Sequence, residues 1–81
     1  METVIQTNCR LRLVQLGATW EEVAQRSGQK AVSLRGAVSR GTPGSASMER
    51  LSLALGVPAH ALMDPAFNPK DWPDPADGEA A

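Results

Sequence analysis

The sequence predicts an all-α fold of five short helices, and three observations predict it. Apolar residues recur at helical spacing in successive stretches. Four of these stretches close at or near a glycine: Gly17, Gly28, Gly41 and Gly56. Ala24, Gly28 and Leu34 stand at i, i+4 and i+10 within residues 19–41. A small residue at 24 lets two helices cross closely. Gly28 accepts the positive φ that ends the first of them in a tight turn. Leu34 and Val38, four apart, face back into the core. This is the steric skeleton of a helix-turn-helix, a motif whose second helix lies in a DNA major groove.

The first helix spans residues 4–16, with Thr3 or Thr7 as cap and Gly17 as stop. Its apolar residues (Val4, Ile5, Cys9, Leu11, Leu13, Val14, Leu16) cover more than one face, which suits contact with a partner chain as well as with its own core. Thr19 opens the second helix through the capping box Thr-Trp-Glu-Glu, in which Thr19 and Glu22 satisfy each other's amides. Glu21 and Glu22 also favour the positive end of the helix dipole. Val23 and Ala24 face inward, and Ser27 and Gly28 end the helix.

The third helix runs from about Lys30 to Arg40, with Ala31, Leu34 and Val38 on one side. Gly36 inside it costs about 1 kcal/mol relative to alanine. Close approach of the backbone to an outside body or a tight helix crossing would each justify that cost. Gly41-Thr42-Pro43-Gly44-Ser45 reads as a loop. Ser45 or Ser47 caps the fourth helix, whose Met48, Leu51, Ser52 and Leu55 form an inward stripe. Pro58 suits the first turn of a short fifth helix ending near Met63.

Eighty-one residues make one small domain, here residues 1–63, followed by an acidic, proline-rich tail over 64–81. The tail reads as extended, with Phe67 and Trp72 available to pack on the body or on a second subunit. The net charge of −1 hides an asymmetry. Residues 1–63 carry seven Lys and Arg against four Glu, a net +3; residues 64–81 carry Lys70 against five carboxylates, a net −4. A mildly basic body favours an anionic partner, although a solubilising tail explains the charges alone equally well.

One cysteine, Cys9, and one histidine, His60, exclude an internal disulfide and the usual zinc sets. With no glycine-rich phosphate loop either, no catalytic constellation is in view, so an enzyme is not expected. No cofactor is implied. No apolar run approaches the roughly 18 residues of a membrane span, and the N-terminus lacks a signal-peptide pattern. The expected location is therefore the reducing cytoplasm.

Thr19, Val23, Ala24, Gly28, Leu34, Val38 and Gly41, followed by Met48-Glu-Arg-Leu-Ser-Leu-Ala-Leu-Gly-Val-Pro58, resemble the phage-repressor and Cro type (lambda-repressor-like) of helix-turn-helix protein. The resemblance covers about residues 8–63. It implies a phage or bacterial transcriptional regulator, a repressor that binds a palindromic operator as a homodimer. The chain departs from the pattern in three ways. Gln29 stands where an apolar residue usually plugs the turn. Trp20 replaces a frequent glutamine. The stretch from Gly28 to Gly41 is one residue longer.

By this resemblance, Lys30, Ala31, Val32 and Ser33 lie near base edges, with Gly36 one turn on. Ala31 or Val32 would meet a thymine methyl, and Arg35 either a guanine or a phosphate. Ser39, Arg40 and Thr42 suit backbone phosphate, as does the indole N–H of Trp20, which alternatively covers the core edge. Arg10 and Arg12 read as solvated surface, His60 as surface, and Cys9, Met48 and Met63 as core. The dimer interface has four candidates: the fifth helix, the apolar excess of the first, Leu53, or Phe67 with Trp72. The alternative function is a protein-interaction module, antitoxin- or adaptor-like, that uses the acidic, aromatic tail.

Overall fold

The computed structural model describes residues 2–41 and 43–72. In chain order they form α1 (Val4–Leu16), α2 (Trp20–Ser27), α3 (Ala31–Ser39), α4 (Ser45–Leu55), α5 (Ala59–Leu62) and a single 3-10 turn, Pro69–Asp71. No strand occurs among the described residues. None of their helices is long and apolar enough to cross a membrane.

Local chemistry sets most of the boundaries. Thr3 with Gln6, and Thr19 with Glu22, form reciprocal capping boxes at the starts of α1 and α2. Gly17, Gly28 and Gly56 close α1, α2 and α4 in the left-handed region. The start of α4 differs from expectation. Gly44 is its N-cap, Ser45 is already helical, and no side chain caps it. Pro58 likewise sits just before α5 rather than in its first turn.

The core joins residues from all five helices. Ile5 and Cys9 of α1 meet Val23 and Ala24, Leu34 and Ala37, Met48, Leu51 and Leu55, and Val57, Ala61 and Leu62. Met63, expected in this core, is 48% exposed, because α5 ends at Leu62 and the chain turns away there.

The buried stripe of α1 is Ile5, Asn8, Cys9 and Arg12, at i, i+3, i+4 and i+7. Half of it is polar, and its polar members do a specific job. Helix C-termini leave carbonyls without intrahelical donors. Asn8 Nδ2 donates to the carbonyls of Leu62 and Asp64 at the end of α5, both at 2.8 Å. Arg12 Nε donates to the Leu55 carbonyl at the end of α4, at 2.8 Å. Gln6, beside this stripe, donates to the carbonyls of Val38 and Ser39 at the end of α3, at 3.1 and 3.2 Å. Three side chains of α1 thus terminate three other helices. The charge on Arg12 also suits the negative end of the α4 dipole.

Arg12 is therefore not the solvated residue that its charge suggests: it is 0% exposed. Its guanidinium also donates to Gln15 Oε1 and to the Trp72 carbonyl. Gln15 donates in turn to the carbonyls of Pro69 and Trp72. These bonds draw residues 64–72 back along α1, with Phe67 and Trp72 packed against the core. The extended course expected from residue 64 does not hold for this stretch. The rest of the expected tail, 73–81, lies outside the described residues.

Candidate nucleic-acid interface

α2 and α3 meet through a turn set by Gly28, whose φ of 70° is open to glycine with little strain. Gln29 N–H donates to the Ala24 carbonyl at 2.8 Å, which closes the turn. An apolar plug is absent here, and a polar one replaces it. Gln29 Nε2 donates to Ser27 Oγ at 3.1 Å and to the Arg50 carbonyl at 2.9 Å, tying the turn to α4. Sequence reasoning missed this link to Arg50. Its one signal was a side-chain amide directly after Gly28.

Leu34 and Ala37 are the buried residues of α3. Their inward direction fixes what faces outward. Lys30, Val32, Ser33, Arg35, Ser39 and Arg40 are exposed, and Ala31 and Gly36 are half-buried. Val32 is 72% exposed, about as much as Val14 of α1. Ala31 and Val38 pack on the core margin.

Gly36 has room around it. A Cβ added there would approach only Arg40 Nη1, at 3.9 Å, and no atom of another helix lies within 4 Å. A tight helix crossing therefore does not require glycine at this position. Gly41 is the opposite case. Its φ is 76°, and a Cβ there would come within 2.9 Å of Thr3 Cγ2. The end of α3 is thus held against the start of α1 by Gly41 and Gln6 together.

The expected cations do not all stand ready. Arg35 forms an ion pair with Glu21 in the first turn of α2. Both side chains are more than half exposed, so the pair is weak, but it turns Arg35 toward α2. Arg40 and Lys30 form no ion pair among the described residues. Ser39 Oγ donates to the Gly36 carbonyl at 3.1 Å. Thr42, expected at phosphate, lies outside the described residues.

Trp20 is half-buried against the core and lines an apolar groove of about 440 Å³ with Leu13, Val14 and Val38. Covering the core edge is one of its two expected roles. Its indole makes no hydrogen bond within the described residues, which leaves the N–H available at the start of α2.

Elsewhere, Arg10 is exposed and paired with Glu2 at 3.0 Å. That hydrogen-bonded guanidinium holds the Glu2 carboxyl below its ordinary range. Cys9 is fully buried, and burial pushes its thiol up to about 12, which removes it as a nucleophile near neutral pH. His60 is exposed and meets the Trp72 ring edge-on, with centroids 6.4 Å apart. Among the dimer candidates, Val14 and Leu53 are strongly exposed, whereas Phe67 and Trp72 are half-buried within their own chain.

The chain was compared with protein-family models, with curated proteins and with solved structures, and no match was found in any of the three.

Proposed function

We propose that this chain is a sequence-specific DNA-binding regulator of the phage-repressor and Cro type. In this reading α2 and α3 form the helix-turn-helix, and α3 is the recognition helix. The protein binds a palindromic operator as a homodimer and represses by occupying a promoter. The single observation that carries the reading is the outward face of α3. It presents exposed Val32 and Ser33 beside Gly36, a mid-helix glycine that no neighbouring element requires. A helix that must lie close against another surface has use for that combination. A major groove offers such a surface, with thymine methyls for Val32 and base-edge donors and acceptors for Ser33. Trp20, Lys30, Ala31, Arg35, Ser39 and Arg40 surround this face as backbone or base contacts.

The alternative, an interaction module working through its aromatic tail, is weaker on one count: Phe67 and Trp72 pack on their own core.

Selection of the purified chain on random-sequence duplex DNA tests the proposal. An enriched palindromic motif is the expected result. No enrichment from a chain that circular dichroism shows to be helical would overturn the proposal.

A further inference from the structure

We infer that Arg50, Lys30, Ser33 and Gln29 form a preformed cleft for one backbone phosphate of duplex DNA, set beside the base-reading face of α3. The inference rests on the proposed DNA-binding function and adds to it a residue from outside α2 and α3.

The cleft has a volume of about 310 Å³ and is lined by Gly28, Gln29, Lys30, Ser33 and Arg50. Its two cations come from different elements: Lys30 is the N-cap of α3 and Arg50 belongs to α4. No carboxylate lines it. The ion pairs among the described residues use Arg10 with Glu2 and Arg35 with Glu21, and neither reaches the cleft. An anion seated in a cleft lined by both residues is attracted by both charges.

The surroundings favour the same occupant. The first turn of α3 holds no acidic residue, and no side chain caps it. Its first amide bonds are those of Ser33 and Leu34 to the Lys30 carbonyl, at 3.1 and 3.3 Å. Earlier amides of the helix have no intrahelical acceptor. The cleft does not need to assemble on binding. The Gln29 side-chain amide bonded to the Arg50 carbonyl fixes the α4 backbone at the turn, and Lys30 and Arg50 line the same cleft. Ser33 belongs both to the cleft and to the outward face of α3. A duplex seated on that face therefore brings its sugar-phosphate backbone past the cleft. Arg50, on a separate helix, is placed for backbone rather than base edge, and so supplies affinity without sequence preference.

The test is binding of the full chain to a labelled random-sequence duplex across about 50–200 mM salt. Arg50→Gln keeps the backbone carbonyl that Gln29 uses. It should lower affinity to a similar degree on every sequence and reduce the magnitude of the log–log salt slope by about one for each copy bound, so by about two for a homodimer. Lys30→Gln should do the same, and the double variant should lose about two for each copy bound. Lys70→Gln, on the 3-10 turn packed against α1, should leave the slope of the parent chain. An unchanged slope for Arg50→Gln beside a steep parent slope would overturn the cleft and leave the DNA-binding function standing. An equal loss in Lys70→Gln would overturn it too, since net charge would then explain everything. A parent chain with no salt-dependent binding would remove both proposals together.

Discussion

Replacing Gly36 by alanine separates what the fold needs from what binding needs. Glycine in a helix interior is about 1 kcal/mol less favourable than alanine. Part of that difference is unfolded-chain entropy, which the substitution reduces. Against it stands any steric penalty in the folded state. Here the new methyl would meet only Arg40 Nη1 at 3.9 Å, an ordinary contact with the far end of a flexible side chain. The balance is a gain of about 0.5–1 kcal/mol. In a domain of this size that raises Tm by roughly 2–8 °C. The same methyl projects from the α3 surface that DNA would approach, and binding should fall about tenfold or more, equivalent to about 1.4 kcal/mol. The assays are thermal denaturation by circular dichroism and fluorescence anisotropy on the selected duplex. A lower Tm would refute the geometry of α3 at this position. A higher Tm with unchanged DNA affinity would refute the idea that close approach keeps glycine there.

Three further outcomes follow from named contacts. Arg12→Met strips charge-assisted bonds from the Leu55 and Trp72 carbonyls and from Gln15, and should cost about 2–4 kcal/mol in urea denaturation. In a Trp20→Phe background the emission of Trp72 should shift to the red, and a midpoint equal to that of the parent would contradict the anchoring role. Glu21→Gln releases Arg35 from its ion pair and removes a negative charge near the interface, so DNA affinity should rise about two- to fivefold. The gain should shrink when Arg35→Ala is added, and a gain of undiminished size would show that releasing Arg35 plays no part in it. The Cys9 thiol is raised by burial from 9.0 to about 12. A raised acid contributes its full stability below the unfolded value and loses it as pH climbs toward the folded one, so the window is about pH 9–12. Cys9→Ala should therefore lose less Tm than the parent between about pH 8 and 10.5, and parallel losses would show that the thiol plays no part.

What could be read from the sequence was local. The capping box of α2, a threonine ahead of α1 and the C-terminal glycines announce themselves within four residues, so α1, α2 and the turn at Gly28 fall where they were expected. Much of the outward face of α3 was also readable, because Leu34 points inward and the helical period then leaves Lys30, Ser33, Arg35 and Gly36 for the outside or the flanks, whereas only the resemblance places Val32 there. What could not be read was polar burial. Periodicity registers apolar residues, and the inner stripe of α1 alternates them with Asn8 and Arg12. The partners of those side chains are backbone carbonyls at the ends of α5 and α4, 54 and 43 residues away. Carbonyls carry no residue identity, so nothing in the string marks them. The same gap explains residues 64–72, where prolines suggest extended chain while the acceptors that bind Arg12 and Gln15 are again main-chain oxygens. In the candidate site, Glu21 was assigned to the helix dipole and Arg50 was not placed at all. Each meets its neighbour only through the crossing of two helices.

The charges on the proposed interface also bear on how many copies must bind. With Arg35 held by Glu21, the cations at or beside α3 that form no ion pair among the described residues are Lys30, Arg40 and Arg50. Three phosphate contacts give a log–log salt slope of about −2.7, a loss of about 40-fold in affinity over a fourfold rise in salt. A protein that makes six to ten such contacts loses about 10³–10⁵ over that range. One copy of this chain falls short of that class, and two copies, with a slope of about −5.4, reach its lower edge. The modest +3 of residues 1–63 thus sits naturally with paired binding. The measured slope distinguishes the cases: near −5 two chains share the duplex, and near −3 one chain binds alone and the palindromic operator is the wrong expectation.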